Sequence, residues 1–563
     1  MKIRTKLCVA IVFSLVVALP VAEARAQAMT VTPTSPLIAV GETQQFTARG
    51  NLTPVHVSAS GAHSCALLPD GTLSCWGYNE FGQLGNGTTV DTSTAVAVAG
   101  ITGATAVSAG HHHTCALLGD GTVRCWGANQ FGQLGDGTAT TDTTPVPVAV
   151  GGITTAVAVT TGAYHACALL ADGTVRCWGY NEFGQLGNGA TASSSTPVTV
   201  AGLAAPTVVT AGAYHTCALL ADGAIRCWGR NDYGQLGDGN TPDSPSPVGV
   251  SGLDPAAAVT AGGFHTCALL PDRSVRCWGQ NIFGQLGDGS SITFLVSAEV
   301  LGLTPLYSST IPPGSHSRTP VKVSGIGTAT AVTAGGFHTC ASLSDGSTKC
   351  WGENDYGQLG DGRNSNSSTP VGVTGLDPSA AVSAGAWHTC ALLPDRSVRC
   401  WGRNFAGQLG NGTVSNSSTP VAVTGSGPAT WASDQPAVAT IDRATGLATG
   451  VGRGSTTITA TANGASGSTA LTVANAVTLA VVREGAGTGT VSSTNCPGIS
   501  CGTDCSENYP SGKVVTLGAA ADAGSTFEGW TGGGCSGTAA CTVTVTSSAT
   551  IVARFGTATE PSP

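Results

Sequence analysis

The sequence predicts an all-β protein: a seven-bladed β-propeller, an immunoglobulin-like sandwich split by the propeller, and a small C-terminal β module. Three observations carry that prediction. One segment bearing two cysteines and a tryptophan recurs seven times. Each copy divides into four short apolar runs, and an Asp-Gly turn signal joins the middle pair in most copies. The composition suits such a fold, with 80 glycines in 563 residues and only 10% charged residues. So few charges exclude a coiled coil and a charge-rich disordered chain, and glycine without a triplet period excludes collagen. The net charge of −9 supplies no basic surplus for phosphates, so no nucleic-acid partner is expected.

In chain order, residues 1–28 read as a signal peptide. Lys2, Arg4 and Lys6 precede the apolar run 7–21, which is too short to span a membrane. The small-residue triplets ending at Ala26 and Ala28 offer two cleavage points. Cys8 lies beside neither, so no lipoprotein is expected. Removing 1–28 takes away four cations and Glu23 and moves the charge from −9 to −12. No later stretch is long and apolar enough for a span, so no membrane insertion is expected after cleavage. The expected location is secreted or cell-surface, an oxidising setting in which disulfides persist.

The propeller is placed at residues 51–427. Its repeat reads H-[ST]-C-A-L-L-x-D-G-T-V-R-C-W-G-x-N-x-x-G-Q-L-G-[DN]-G, with small changes from copy to copy. The first cysteines are Cys65, Cys115, Cys167, Cys217, Cys267, Cys340 and Cys390, spaced 50, 52, 50, 50, 73 and 50 residues apart. A four-stranded unit of this size cannot bury both faces alone, whereas seven in a ring can. A linear solenoid would call for atypical end repeats, and the first and last units here look like the others.

Hairpin arithmetic places the second cysteine of each unit. If Pro69-Asp70-Gly71 is a three-residue turn with Gly71 left-handed, Leu67 faces Leu73 and Cys65 faces Cys75. Directly paired residues lie within disulfide reach. The spacing of ten is common to all units, so the expected bridges are Cys65–Cys75, Cys115–Cys125, Cys167–Cys177, Cys217–Cys227, Cys267–Cys277, Cys340–Cys350 and Cys390–Cys400. Zinc would want a different spacing, and no metal site is assigned. Arg273 and Arg396 replace the turn glycine in two units. Those turns either hold arginine in the left-handed region, at a cost of about 1 kcal/mol, or adopt another type.

The W-G-x-N-x-x-G-Q-L-G core with its preceding G-x-H-T-x-A-L-x-x-D-G resembles the regulator of chromosome condensation repeat family over residues 55–425. The resemblance implies a seven-bladed propeller used as a binding platform. The name-giving eukaryotic member is a nucleotide exchange factor on chromatin. Secreted bacterial members include inhibitors that bind β-lactamases, a closer setting for an exported acidic chain. Residues 29–50 and 428–473 together resemble one bacterial immunoglobulin-like domain of group 2, with the propeller inserted in it. Insertion of this kind needs the insert's ends close together, which a closed ring provides. Residues 476–556 resemble a divergent bacterial repeat module, and 557–563 read as a disordered tail. In that module Cys501–Cys505 and Cys535–Cys541 are the preferred pairs, leaving Cys496 over.

The sequence assigns no catalytic residue and no cofactor. It carries no G-x-S-x-G, no H-E-x-x-H and no phosphate loop before a helix. Seven histidines precede the cysteines by two, from His63 to His388, one per blade. Each is expected to be structural and to hydrogen-bond backbone locally. The candidate site is a surface. Loops between strands one and two and between three and four share one end of the meander, where otherwise repeated residues vary. The binding candidates there are Tyr78, Glu80, Tyr164, Tyr214, Arg230, Asp232, Glu353, Trp387 and Arg403, with Arg230, Glu353 and Arg403 expected to be exposed. Aromatics with arginine suit protein or glycan recognition, and packing between blades is the competing reading for the aromatics. Tyr307 joins the candidates from the insertion within Ser290–Thr319, which accounts for the long fifth spacing. The expected function is an exported, non-catalytic binding or adhesion protein. The alternatives are a secreted enzyme inhibitor and, by family resemblance, an exchange factor.

Overall fold

A computed structural model describes residues 29–558 apart from 50–53, 292–315, 377, 380, 428, 463–464, 495–498 and 502–504. The signal segment, Tyr307 and Cys496 lie outside the described residues, as does the side chain of Cys501.

Seven antiparallel four-stranded sheets follow one another, each built from four consecutive strands. Blade 1 comprises His56–Ser60, His63–Leu67, Leu73–Gly77 and Thr92–Ala97. Blade 7 comprises Ala381–Ala384, His388–Leu392, Val398–Gly402 and Ser417–Ala422. No strand is exchanged between them. The ring closes through contacts instead: Ala59 N donates to Ser383 Oγ at 2.9 Å and Gly412 N to Ser93 O at 2.8 Å. The arrangement is a closed ring rather than a linear solenoid.

The inner hairpin of every blade has one register. Cys65 faces Cys75, and the same direct pairing recurs in the other six blades. All seven pairs are bonded, with Cα atoms 4.0–4.1 Å apart. The turn is fixed by its aspartate, as where Asp70 Oδ1 accepts from Thr72 N at 3.0 Å. Arg273 and Arg396 both stand at φ +65°, so of the two options for these turns the left-handed arginine is the one adopted.

Residues on both sides of the propeller share sheets. Leu37–Ala39 runs parallel to Ala465–Ala474, and Thr43–Gln45 runs antiparallel to Leu447–Gly450. Their common core includes Val31, Ile38, Phe46, Trp431, Ile458 and Leu471. The C-terminal residues form two further four-stranded sheets over a core containing Leu479, Val515, Trp530 and Phe555. Cys535 is bonded to Cys541 there. Cys505 is also disulfide-bonded, to a partner outside the described side chains. Among the described residues no helix is long and apolar enough to cross a membrane.

Candidate recognition face

The loop between strands three and four does two jobs, and the repeat motif divides between them. Its inward residues tie blade to blade. In blade 1, Asn79 Oδ1 accepts from Leu84 N at 2.9 Å, and Asn79 Nδ2 donates to the carbonyls of Thr88 and Val90, each at 3.0 Å. The clamped loop delivers the Gln83 carbonyl to blade 2, where it accepts from Trp126 Nε1 at 2.9 Å and Thr114 Oγ1 at 2.8 Å. Gly85 stands at φ +68° against that indole, and a Cβ there would lie 2.6 Å from Trp126 Nε1. All seven repeat tryptophans make the same bond to the preceding blade, closing with Trp76 Nε1 on Gln408 O at 3.0 Å.

The histidines belong to this seam, which corrects the expectation of local backbone bonding. His63 Nε2 lies 2.8 Å from Thr114 Oγ1 of the next blade. That hydroxyl has already given its single proton to Gln83 O, so it accepts, and the imidazole proton sits on Nε2. The pair recurs at His165–Thr216, His215–Thr266, His265–Thr339, His338–Thr389 and His388–Ser64, all at 2.8–2.9 Å. One is missing. Blade 3 carries Ala166 at the hydroxyl position, and neither ring nitrogen of His113 has a partner. Burial lowers the pKa of His113, His165, His215, His265, His338 and His388 to about 3 and that of His63 well below its usual value. These are neutral structural imidazoles. The signal for the seam was in the sequence, as a hydroxyl residue after the histidine in six of seven copies.

The outward residues build two concentric aromatic rings around the propeller axis. The inner ring carries His112, Tyr164, Tyr214, Phe264, Phe337 and Trp387. Its neighbours stand close, with Tyr164–Tyr214 at 6.2 Å, Tyr214–Phe264 at 6.1 Å and Phe264–Phe337 at 5.5 Å. Blade 1 has Ala62 at this position, and there His111 spans toward Trp387 at 5.9 Å. The outer ring carries Phe81, Phe131, Phe183, Tyr233 and Phe283, each against the inner aromatic of the next blade at 4.7–5.9 Å. These side chains are half-buried. They pack across blade boundaries and still present an edge to solvent.

Where the residue after Trp-Gly is tyrosine or arginine, it lies over these rings. Arg230 places its guanidinium 4.9 Å from Phe183 and 5.6 Å from both Tyr214 and Phe264, and pairs with Asp232 at 2.6 Å. Arg403 stands 4.8 Å from Tyr356, 4.9 Å from Trp387 and 4.3 Å from Phe405. Both arginines lie folded onto aromatics rather than extended into water. Tyr78 donates its hydroxyl to Glu80, and Tyr180 donates to Glu182. Glu353 departs from expectation. It is 6% exposed, and burial, reinforced by Asp355, raises its pKa to about 7. It cannot serve as a solvent-facing contact. Phe405, at 48% exposure, is an outward aromatic that the sequence reading did not single out.

At the axis, a cavity is lined by small residues such as Gly162, Gly212, Gly262, Gly335 and Gly385, together with His111. Its lining holds no carboxylate, lysine or cysteine. Among the described residues no three metal-ligating side chains converge.

These features define the class: a disulfide-stapled seven-bladed β-propeller with an aromatic end face. Comparison with known families then places it. Residues 26–301 match the RCC1-like domain, and residues 345–392, 329–358 and 380–408 match regulator of chromosome condensation (RCC1) repeats. The propeller of this chain belongs to the RCC1 repeat family. Residues 410–464 match the intimin immunoglobulin-like domain, and 477–559 the divergent InlB B-repeat domain. Among solved structures, the fold is similar to Prp20p of Saccharomyces cerevisiae, described with its binding to Gsp1p and histones. The identity is 20% and the TM-score 0.54, covering 64% of this chain and 87% of that one. Human WBSCR16 is similar at 22% identity and TM-score 0.52, covering 63% of this chain and 94% of that one. At these identities the likeness concerns the fold.

Proposed function

We propose that this is an exported, non-catalytic binding protein that recognises a protein ligand through the aromatic end of its propeller. The observation that carries the reading is the pair of concentric, half-buried aromatic rings, with Arg230 and Arg403 laid over them. Rigid aromatics and arginine dominate binding energy at protein interfaces. The histidines are an unsuitable source of catalysis, because all seven repeat histidines are fully buried and held neutral in the seams. Export is supported by seven buried blade disulfides and by the intimin-type and InlB-type modules that follow. The reading is tested by capture from cell-envelope fractions, using the native protein and a Tyr164→Ala/Tyr214→Ala/Trp387→Ala variant. A partner held by the first and lost by the second is expected. Equal capture by both, with the variant folded by circular dichroism, would remove the face from the account. The inhibitor reading is checked alongside by assaying β-lactamases with and without the protein.

A further inference from the structure

We propose that the sector of this face on blades 1–3 receives a cationic, arginine-bearing segment of a partner protein. The proposal rests on the end face being a recognition surface and specifies what one part of it recognises.

The repeat itself supplies the argument. At blades 4 and 7 the residue after Trp-Gly is Arg230 or Arg403, and its guanidinium lies 4.9 Å or 4.8 Å from the outer aromatic of the preceding blade. Phe131 is met by Tyr180 at 4.6 Å, and the same aromatic geometry is present across blades 1 and 2 in Phe81 against His112 at 4.7 Å. The residue after Trp-Gly in blade 2 is Ala128, which reaches over neither. This chain therefore shows that a guanidinium suits the aromatic arrangement, and provides none of its own there.

Charge points the same way. Between residues 54 and 200 the only lysines or arginines are Arg124 and Arg176. Both sit at the start of strand three, the opposite end of the blade, where Arg176 Nη1 donates to Gly152 O. The recognition end of the same blades carries Glu80, Asp91, Asp136, Asp142 and Glu182 in its strand three-to-four segments, with no cation among them. Glu80 and Glu182 are exposed, and each is oriented by a tyrosine hydroxyl, Tyr78 or Tyr180. Two fixed carboxylates thus flank an aromatic platform in blades 1 and 3, on either side of Ala128. A cation there gains attraction from the ring faces and from both carboxylates. Arg230 over Phe183 and Arg403 over Phe405 border the sector, and between them an anionic segment would meet Glu80 and Glu182.

The probe is N-acetyl-tetra-arginine amide, titrated into the full chain by calorimetry at low salt, with N-acetyl-tetra-glutamate amide as the counter-probe. Saturable binding of the first and none of the second is expected. Glu80→Gln/Glu182→Gln should weaken binding about fivefold or more, because oriented carboxylates contribute to cation binding. Ala128→Arg should weaken it about tenfold, by seating an internal guanidinium on the platform as Arg230 does. Glu484→Gln/Glu528→Gln in the C-terminal module should leave binding unchanged. The proposal is overturned if tetra-arginine does not bind, if binding survives both face variants, or if the C-terminal variant weakens it equally. Loss of peptide binding with face-dependent capture of an envelope partner intact would sink this proposal and leave the recognition face standing. Loss of both would sink both.

Discussion

Lowering the pH from 7 to 5 should unfold the propeller, and the histidine seams set the size of the effect. Each repeat histidine is buried and held neutral, with a folded pKa of about 3 for six of them and well below its usual value for His63. In the unfolded chain the pKa returns to about 6.5. A folded pKa below the unfolded one means that full stability is present above about 6.5 and is lost as the pH falls toward the folded value. Between pH 6.5 and 5 the unfolded state takes up protons that the folded state refuses. At about 1.4 kcal/mol per unit, each of the six histidines with a folded pKa of about 3 forfeits about 2 kcal/mol, and the six forfeit about 12, with His63 acting in the same direction. Glu353 acts in the opposite direction. Its folded pKa of about 7 lies above the unfolded carboxylate value, so it binds a proton on folding and returns about 2 kcal/mol over the same range. The net loss of about 10 kcal/mol matches the whole stability of a typical domain. The turn aspartates do not confuse the window. Hydrogen bonds from Thr72, Thr122 and Thr174 lower the pKa of Asp70, Asp120 and Asp172, so their contribution is lost only below about pH 4. The assay is guanidinium unfolding followed by tryptophan fluorescence at pH 7, 6 and 5, since the seven repeat tryptophans report the seams. An unfolding free energy at pH 5 within about 2 kcal/mol of that at pH 7 would refute the reasoning.

Three further outcomes follow from single positions. Ala166→Thr should restore the seventh histidine–hydroxyl pair by giving His113 its partner, raising unfolding free energy by about 1 kcal/mol in guanidinium titration. Arg273→Gly and Arg396→Gly should each stabilise by about 0.5 kcal/mol, because relief of the left-handed strain at φ +65° exceeds the added freedom of the unfolded chain; a loss of stability would show that the arginines are not strained. Replacing Cys217 and Cys227 together by alanine should cost about 3 kcal/mol, the loop-closure value for cysteines ten apart, and peptide mapping of the non-reduced parent should recover that pair linked.

What was legible in the sequence is what depends on neighbours along the chain. The position of Cys65 opposite Cys75 follows from counting outward from one turn, and the left-handed site at Arg273 is one of the two options the missing turn glycine left open. What was not legible depends on the adjoining blade. His63 was read as bonding its own surroundings because its true partner, Thr114, lies 51 residues away and meets it only once the ring closes. The loss of the His113 pair through Ala166 was likewise a one-letter difference whose meaning needs the ring. Glu353 was expected in water because its motif position holds Arg230 and Arg403 in other blades. A shorter side chain at that position stays down among the aromatics instead of crossing over them. Side-chain length, not polarity, decided its burial.

The same division explains how one loop can hold a rigid ring together and still vary. In W-G-x-N-x-x-G-Q-L-G the named residues point inward: asparagine closes the loop, the glutamine carbonyl takes the next blade's indole, and leucine is fully buried, as with Asn79, Gln83 and Leu84. The positions marked x make none of the tryptophan or histidine bonds that join the blades, and the first of them lies over the aromatic rings where it is tyrosine or arginine. Tyrosine, alanine, tyrosine, arginine, glutamine, glutamate and arginine occupy the first x from blade 1 to blade 7. That series changes charge, length and aromaticity while every repeat tryptophan keeps its bond to the preceding blade. Stability and recognition are thus carried by alternate letters of one motif. Substitutions at x should retune the face at little cost to the ring, whereas substitution of the asparagine, whose side chain closes the loop that carries the glutamine's main-chain carbonyl, should loosen two blades at once.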